Sequence, residues 1–184
     1  ELEILNESRV EVSYKKGEMI YKQGMPLTHL VILRTGIAKI YIESSKGKNL
    51  ILSYSKAYDI NAGIGVFLDQ IHHSSLMAAS DCETCFVDVK AFKAVMRSNY
   101  NFTEAYLEYC SKRVLNTYHQ FTVLTQKNME GRMAEAILYL YDYLYSGSEI
   151  QNVSKVDLAE FTAMSKESAI RVLKSFQDIG YVEI

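Results

Sequence analysis

The first hundred residues set short β-branched and aromatic runs between glycines. Leu30-Val-Ile-Leu33, Ile37-Ala-Lys-Ile-Tyr-Ile42, Leu50-Ile-Leu-Ser-Tyr54 and Cys85-Phe-Val-Asp-Val89 have the composition of strands. Between them lie Gly17, Gly24 with Pro26, Thr35-Gly36 and Lys46-Gly47-Lys48, where tight turns need freedom in φ. Strands this short and this evenly spaced predict a roll, sandwich or barrel, not βαβ units.

The period changes after about Lys90. From there to Tyr145 there is no proline and one glycine, Gly131. Phe102, Tyr106, Tyr109, Arg113, Asn116, Gln120, Val123 and Lys127 recur at helical steps and mark one drifting stripe, apolar at its start and polar in its middle. Such a mixed face suits a dimer seam, where buried polar groups fix register, or a helix packed on its own β-domain; the seam is the reading adopted. Gly131 is expected to restart a helix with Met133, Ile137, Leu140 and Leu144 on one face. Tyr139, Tyr141, Tyr143 and Tyr145 alternate as a strand would, but the helical residues before them decide for helix, ended by Ser146-Gly147-Ser148.

Residues 153–184 have their own logic. Ser154 can cap a helix whose Leu158, Ala159 and Phe161 face inward, and a turn of about three residues follows. Ser165 can cap a second helix packed through Ala169, Ile170, Val172, Leu173 and Phe176 and closed by Gly180. The last four residues look like the first strand of a wing, cut short at Ile184. Two short helices joined by a tight turn fit a major-groove reader. Arg171 could bond a guanine bidentately, Glu167 could accept from cytosine, and Lys166 could reach guanine or a phosphate. A helical hairpin with a solvated charged face would show the same pattern.

Composition bounds the rest. The 184 residues are 48% hydrophobic and 23% charged, enough for one large globular unit or two small ones. A net charge of -2 does not advertise nucleic-acid binding, so that case rests on local charge: between Ser165 and Phe176, Lys166, Arg171 and Lys174 face one acid, Glu167. The three cysteines give no disulfide framework, and no run of apolar residues would cross a bilayer, so a cytoplasmic protein is expected. Cys82 and Cys85 would point to opposite faces of one strand, as would His72 and His73, so neither pair makes a metal site by itself. Gly63-x-Gly65 is too short for a dinucleotide fingerprint. No nucleophile, base and orienter set stands out, and no enzyme is expected; a cupin-like metalloenzyme ranks behind the binding readings.

Several stretches, in order, resemble the CRP/FNR (catabolite-activator/fumarate-nitrate regulator) family of bacterial transcription factors. They are Lys15-Lys-Gly-Glu-Met-Ile20 with Gln23-Gly24, Leu33-Arg-Thr-Gly-Ile-Ala-Lys-Ile40, Gly47-Lys-Asn-Leu-Ile-Leu52, Gly131-Arg-Met-Ala134 and Met164-Ser-Lys-Glu-Ser-Ala-Ile-Arg-Val-Leu173. The resemblance implies an α+β fold: a cyclic-nucleotide-binding-like β-roll (jelly roll) over 1–100, a dimerisation helix over 101–127, and a winged helix-turn-helix over 128–184. It implies a homodimer on a palindromic site in double-stranded DNA, with RNA polymerase as a partner. The base-reading positions fall on Lys166, Glu167 and Arg171, and the phosphate-contacting hydroxyls on Ser154, Ser165 and Ser168. Ala163 stands where the family usually has a turn glycine.

The effector pocket departs further. By the same resemblance it comprises Gly63, Ile64, Gly65, His73, Ser74, Thr117 and Tyr118. Cyclic-nucleotide members carry a Gly-Glu pair that holds the ribose and an Arg-Ser pair that holds the phosphate; here these are Ala62-Gly63 and His73-Ser74. A neutral imidazole cannot make the bidentate ion pair of a guanidinium, so cAMP is not expected to bind in that mode. Some relatives bind haem in this domain, which leaves His29, His73 and His119 as candidate ligands, or another small molecule as effector. The alternative reading is a ligand-binding signalling module acting through a protein partner.

Overall fold

The computed structural model describes residues 9–44, 47–61, 64–151 and 153–183. Eight strands come first: β1 (Arg9–Tyr14), β2 (Met19–Tyr21), β3 (His29–Thr35), β4 (Ala38–Ile42), β5 (Leu50–Ser55), β6 (Ile60–Asn61), β7 (Ser75–Ala78) and β8 (Cys82–Asp88). They form two antiparallel sheets, β1-β8-β3-β6 and β2-β7-β4-β5. Helices α1 (Val89–Ser98), α2 (Tyr100–Gln126) and α3 (Met129–Leu138) follow, the last continued by a wider π turn, Tyr139–Leu144. Two short helices close the chain, α4 (Lys155–Phe161) and α5 (Lys166–Asp178).

Both sheets are covered on both faces, which is why the strand runs are so continuously apolar. Val31 and Leu33 of β3, Ala38 and Ile40 of β4, Leu76, Ala78 and Cys82 fill the space between the sheets. The alternate positions of the first sheet, Leu30, Cys85 and Val87, turn outward against Phe92 of α1 and Tyr106 of α2. On the second sheet, Tyr41, Ile51 and Tyr54 turn outward against Ala136, Leu140, Leu144 and Phe161. Cys82 and Cys85 therefore lie buried in different layers, and burial pushes both thiols up, as befits inert core residues.

Several expectations change. The run read as Cys85–Val89 is the end of a longer strand, and Val89 already belongs to α1, because Asp88 accepts from the amides of Lys90 and Ala91 and caps that helix. Helix α3 begins before Gly131, at Met129, where Asn128 accepts from the Gly131 amide; the break in the helix lies at Lys127 and Asn128. Tyr181–Glu183 form no strand, since none of the described residues offers them a backbone ladder.

The largest correction concerns α2. The stripe read as a dimer seam packs on its own chain: Phe102 and Tyr106 meet Phe92 edge-on at 5.7 and 5.0 Å, and Val123 is buried. Gln120 donates to the carbonyl of Phe161 at 3.0 Å. The unpartnered face is another one, carrying Leu107, Val114, Tyr118 and Phe121 at 58, 48, 65 and 68% exposure. These follow one another at steps of seven, four and three residues, the spacing of a coiled-coil seam.

Candidate DNA interface and effector pocket

The last two helices are held together by small residues. Ala169 is fully buried, which lets α5 approach Ala159 of α4 and Met133 of α3, with Val172 and Leu173 completing the cluster. Ser154 and Asp157 form a reciprocal capping box at the start of α4: the Asp157 amide donates to Ser154 Oγ and the Ser154 amide to Asp157 Oδ2, both at 3.0 Å. Between the helices, Ala163 takes φ +53° and the Met164 amide donates back to the Ala159 carbonyl at 2.9 Å. The left-handed backbone expected at this turn is present, on an alanine.

Ser165 caps α5 by accepting from the Ser168 amide at 3.1 Å. Its C-terminus ends in a Schellman arrangement: the Gly180 amide bonds the Gln177 carbonyl, the Tyr181 amide bonds that of Phe176, and the two rings meet at 6.0 Å. Lys166, Glu167, Ile170, Arg171 and Lys174 line the exposed side of this helix. The Glu167 carboxyl is held below its ordinary value by its own backbone amide and by Ser165, so it is an acceptor at neutral pH. All six sequence-assigned positions, Ser154 included, thus belong to the ends and outer face of one helix-turn-helix, with Ser154 already engaged as a cap.

This unit is docked on the second sheet. Lys39 of β4 pairs with Asp157, Tyr54 donates its amide to the Tyr139 hydroxyl at 3.3 Å, and Lys56 Nζ donates to the Tyr143 carbonyl at 2.8 Å. The docked face differs from the exposed one: it is largely aromatic and buried, with its charges paired or bonded across the contact.

The sequence-assigned effector residues are less unified. Gly63 lies outside the described residues. Ile64 is exposed, whereas Gly65 is buried with Ile71 O only 2.0 Å from where a Cβ would stand. His73 faces both oxygens of Asp69 at 3.0 Å, and Ser74 lies near the hydroxyl of Tyr21. Thr117 donates to its own helix at the Arg113 carbonyl, and Tyr118 is exposed. A further charged group reaches inward from α2: Arg113 donates to the Tyr109 hydroxyl at 3.0 Å, which in turn lies 3.5 Å from Asp59. Its signal in the sequence was an arginine that follows Phe102, Tyr106 and Tyr109 on one helical stripe.

Residues 11–99 match the sequence profile of the cyclic nucleotide-binding domain. Electron transport regulator A of Shewanella oneidensis is 24% identical over 92% of this chain and 70% of its own length. The cAMP-activated global transcriptional regulator CRP of Pasteurella multocida is 23% identical over 90% of this chain and 81% of its own. Over most of its length the chain is similar to regulators of the CRP/FNR family. Its fold agrees: the c-di-GMP-responsive global regulator CLP of Xanthomonas campestris superposes with a TM-score of 0.83 at 21% identity, covering 100% of this chain and 93% of that one. A CRP/FNR-family regulator from Thermus thermophilus gives 0.79 at 18% identity, over 95 and 89% of the two chains. The architecture is thus that of a CRP/FNR regulator, a β-roll followed by helices and a C-terminal helix-turn-helix.

Proposed function

We propose that this chain is a CRP/FNR-type regulator, a cytoplasmic homodimer that reads a palindromic site in double-stranded DNA and acts on RNA polymerase. Its labour divides into an effector-binding β-roll over 1–100, a dimerisation helix over 101–127 and a DNA-binding unit over 128–184. The observation that carries this reading is α5: its apolar side is locked into a core while Lys166, Glu167 and Arg171 project from its first turns. A major groove admits a helix presented in that way. Paired α2 helices would join through Leu107, Val114, Tyr118 and Phe121, setting two heads one DNA turn, or ~34 Å, apart.

The effector is a small molecule other than cAMP bound in the family's charge-anchored mode. His73, which stands at the phosphate-holding position, faces the Asp69 carboxylate at 3.0 Å, and that carboxylate would repel a phosphate. Haem is a second candidate class, although His73 and His119 each lie against a carboxylate, Asp69 and Glu135, at 3.0 and 3.4 Å. No catalytic role is assigned to any residue.

The test compares two substitutions on the bound duplex and on random DNA. Arg171→Ala should relax one symmetric base-pair position and weaken specific binding by ~1–3 kcal/mol per half-site, while Ser168→Ala should weaken both duplexes alike. Equal losses for Arg171→Ala on both duplexes would remove the base-reading role.

A further inference from the structure

We propose that a cleft beside the β2–β3 turn, distinct from the family's effector positions, is a binding site for a small aromatic carboxylate. The cleft has a volume of about 340 Å³ and shares no residue with Ile64, Gly65, His73, Ser74 or Thr117. That volume lies within the range of small-molecule sites.

His72 is its central feature. The residue is 6% exposed, yet its ring makes no hydrogen bond among the described residues and lines the cleft. Burial lowers its pKa, so the imidazole is neutral and offers one donor and one acceptor. The ring opens on the cleft, so a ligand there could take up its hydrogen-bonding capacity. Its position is fixed: the His72 amide donates to Met25 O at 3.0 Å, its carbonyl accepts from Gly24 at 2.7 Å, and its ring stacks on Tyr21 at 4.0 Å and 13°.

The walls define the ligand. Tyr21 and Phe86 supply aromatic surface, and His29, edge-on to Phe86 at 6.3 Å, has its Nδ1 against Thr28 Oγ1 at 2.9 Å. None of the lining residues is acidic, and the one ammonium among them is Lys22 at the exposed rim, loosely paired with Glu43 at 3.8 Å, a contact that a ligand carboxylate would share or displace. A flat apolar body with a single anionic group matches this set: the ring lies among the aromatic side chains, and the carboxylate accepts from His72 and from Lys22.

Calorimetry of the full chain with 2-naphthoate, 2-naphthamide and 2-naphthylmethylamine tests the site. The acid should bind at least about tenfold more tightly than the amide and the amine not at all, since one charge-assisted hydrogen bond is worth roughly that factor. His72→Phe keeps the stack on Tyr21 and should weaken the acid about tenfold. Lys22→Gln, at an exposed position that leaves folding intact, should bring acid and amide level. Binding of acid and amine alike, no binding of the acid at millimolar concentration, or acid affinity unchanged in Lys22→Gln would each overturn the proposal.

Discussion

Lys39 of β4 and Asp157 of α4 form a largely buried ion pair that joins the second sheet to the first helix of the helix-turn-helix, 118 positions further along the chain. Asp157 is at once the partner of Lys39 and half of the Ser154 capping box, so the docking contact and the helix start share one carboxylate. Removing Lys39 leaves that carboxylate buried with only its cap. Lys39→Met should therefore destabilise the chain by about 3 kcal/mol, measured by urea unfolding.

The same pair sets a pH dependence. Burial acts to raise the Asp157 carboxyl, but Lys39 and Ser154 outweigh it, and the pKa lies below the ordinary value of 3.8. A depressed folded-state pKa means that the contribution is complete above that value and is lost as pH falls through the lower one. The stability difference between wild type and Lys39→Met should be constant from about pH 8 to pH 5 and shrink at lower pH. A difference that grew on acidification would contradict this assignment.

The exposed face of α2 predicts its own outcome. Val114→Glu with Phe121→Glu introduces charges where two helices would meet and touches no core residue of the single chain. Sedimentation should show a monomer with unchanged circular dichroism, and its affinity for a palindromic duplex should fall at least as far as loss of one half-site requires. Persistence of a dimer would place the interface elsewhere.

Two backbone positions give opposite signs. Ala163 occupies the left-handed region, where a Cβ costs about 1–2 kcal/mol, so Ala163→Gly should stabilise the helix-turn-helix by up to about 1 kcal/mol once glycine's greater unfolded-state freedom is subtracted. Gly65→Ala would drive a methyl into the Ile71 carbonyl and should destabilise by about 1–3 kcal/mol. Thermal melts of the two variants should move in opposite directions.

The helix-turn-helix was legible in outline because its signals are local: the caps Ser154 and Ser165, the turn around Ala163 and the small Ala169 all lie within one short stretch, although Ile170, read as packing inward, lies on the exposed side and no wing strand forms at 181–183. The β-roll was legible in type, through runs such as Leu30-Val-Ile-Leu33, but β1 escaped as an edge strand whose Val10 is exposed, and β2 and β7 as strands of three and four residues. The use of each face of α2 was not legible. Tyr106 and Tyr118 are alike in sequence, and only the tertiary placement of Phe92 decides that the first faces inward. Arg113 was visible as a member of the stripe, but its link through Tyr109 to Asp59 was not, since those two meet only in the folded chain.

Selection of bound sequences from a random duplex pool tests the central claim most directly. The account predicts enrichment of a two-fold symmetric site with half-site centres about one helical turn apart, 10–10.5 bp, and loss of preference at one symmetric position with Arg171→Ala. Failure to enrich any sequence, or an enriched site indifferent to Arg171→Ala, would contradict it.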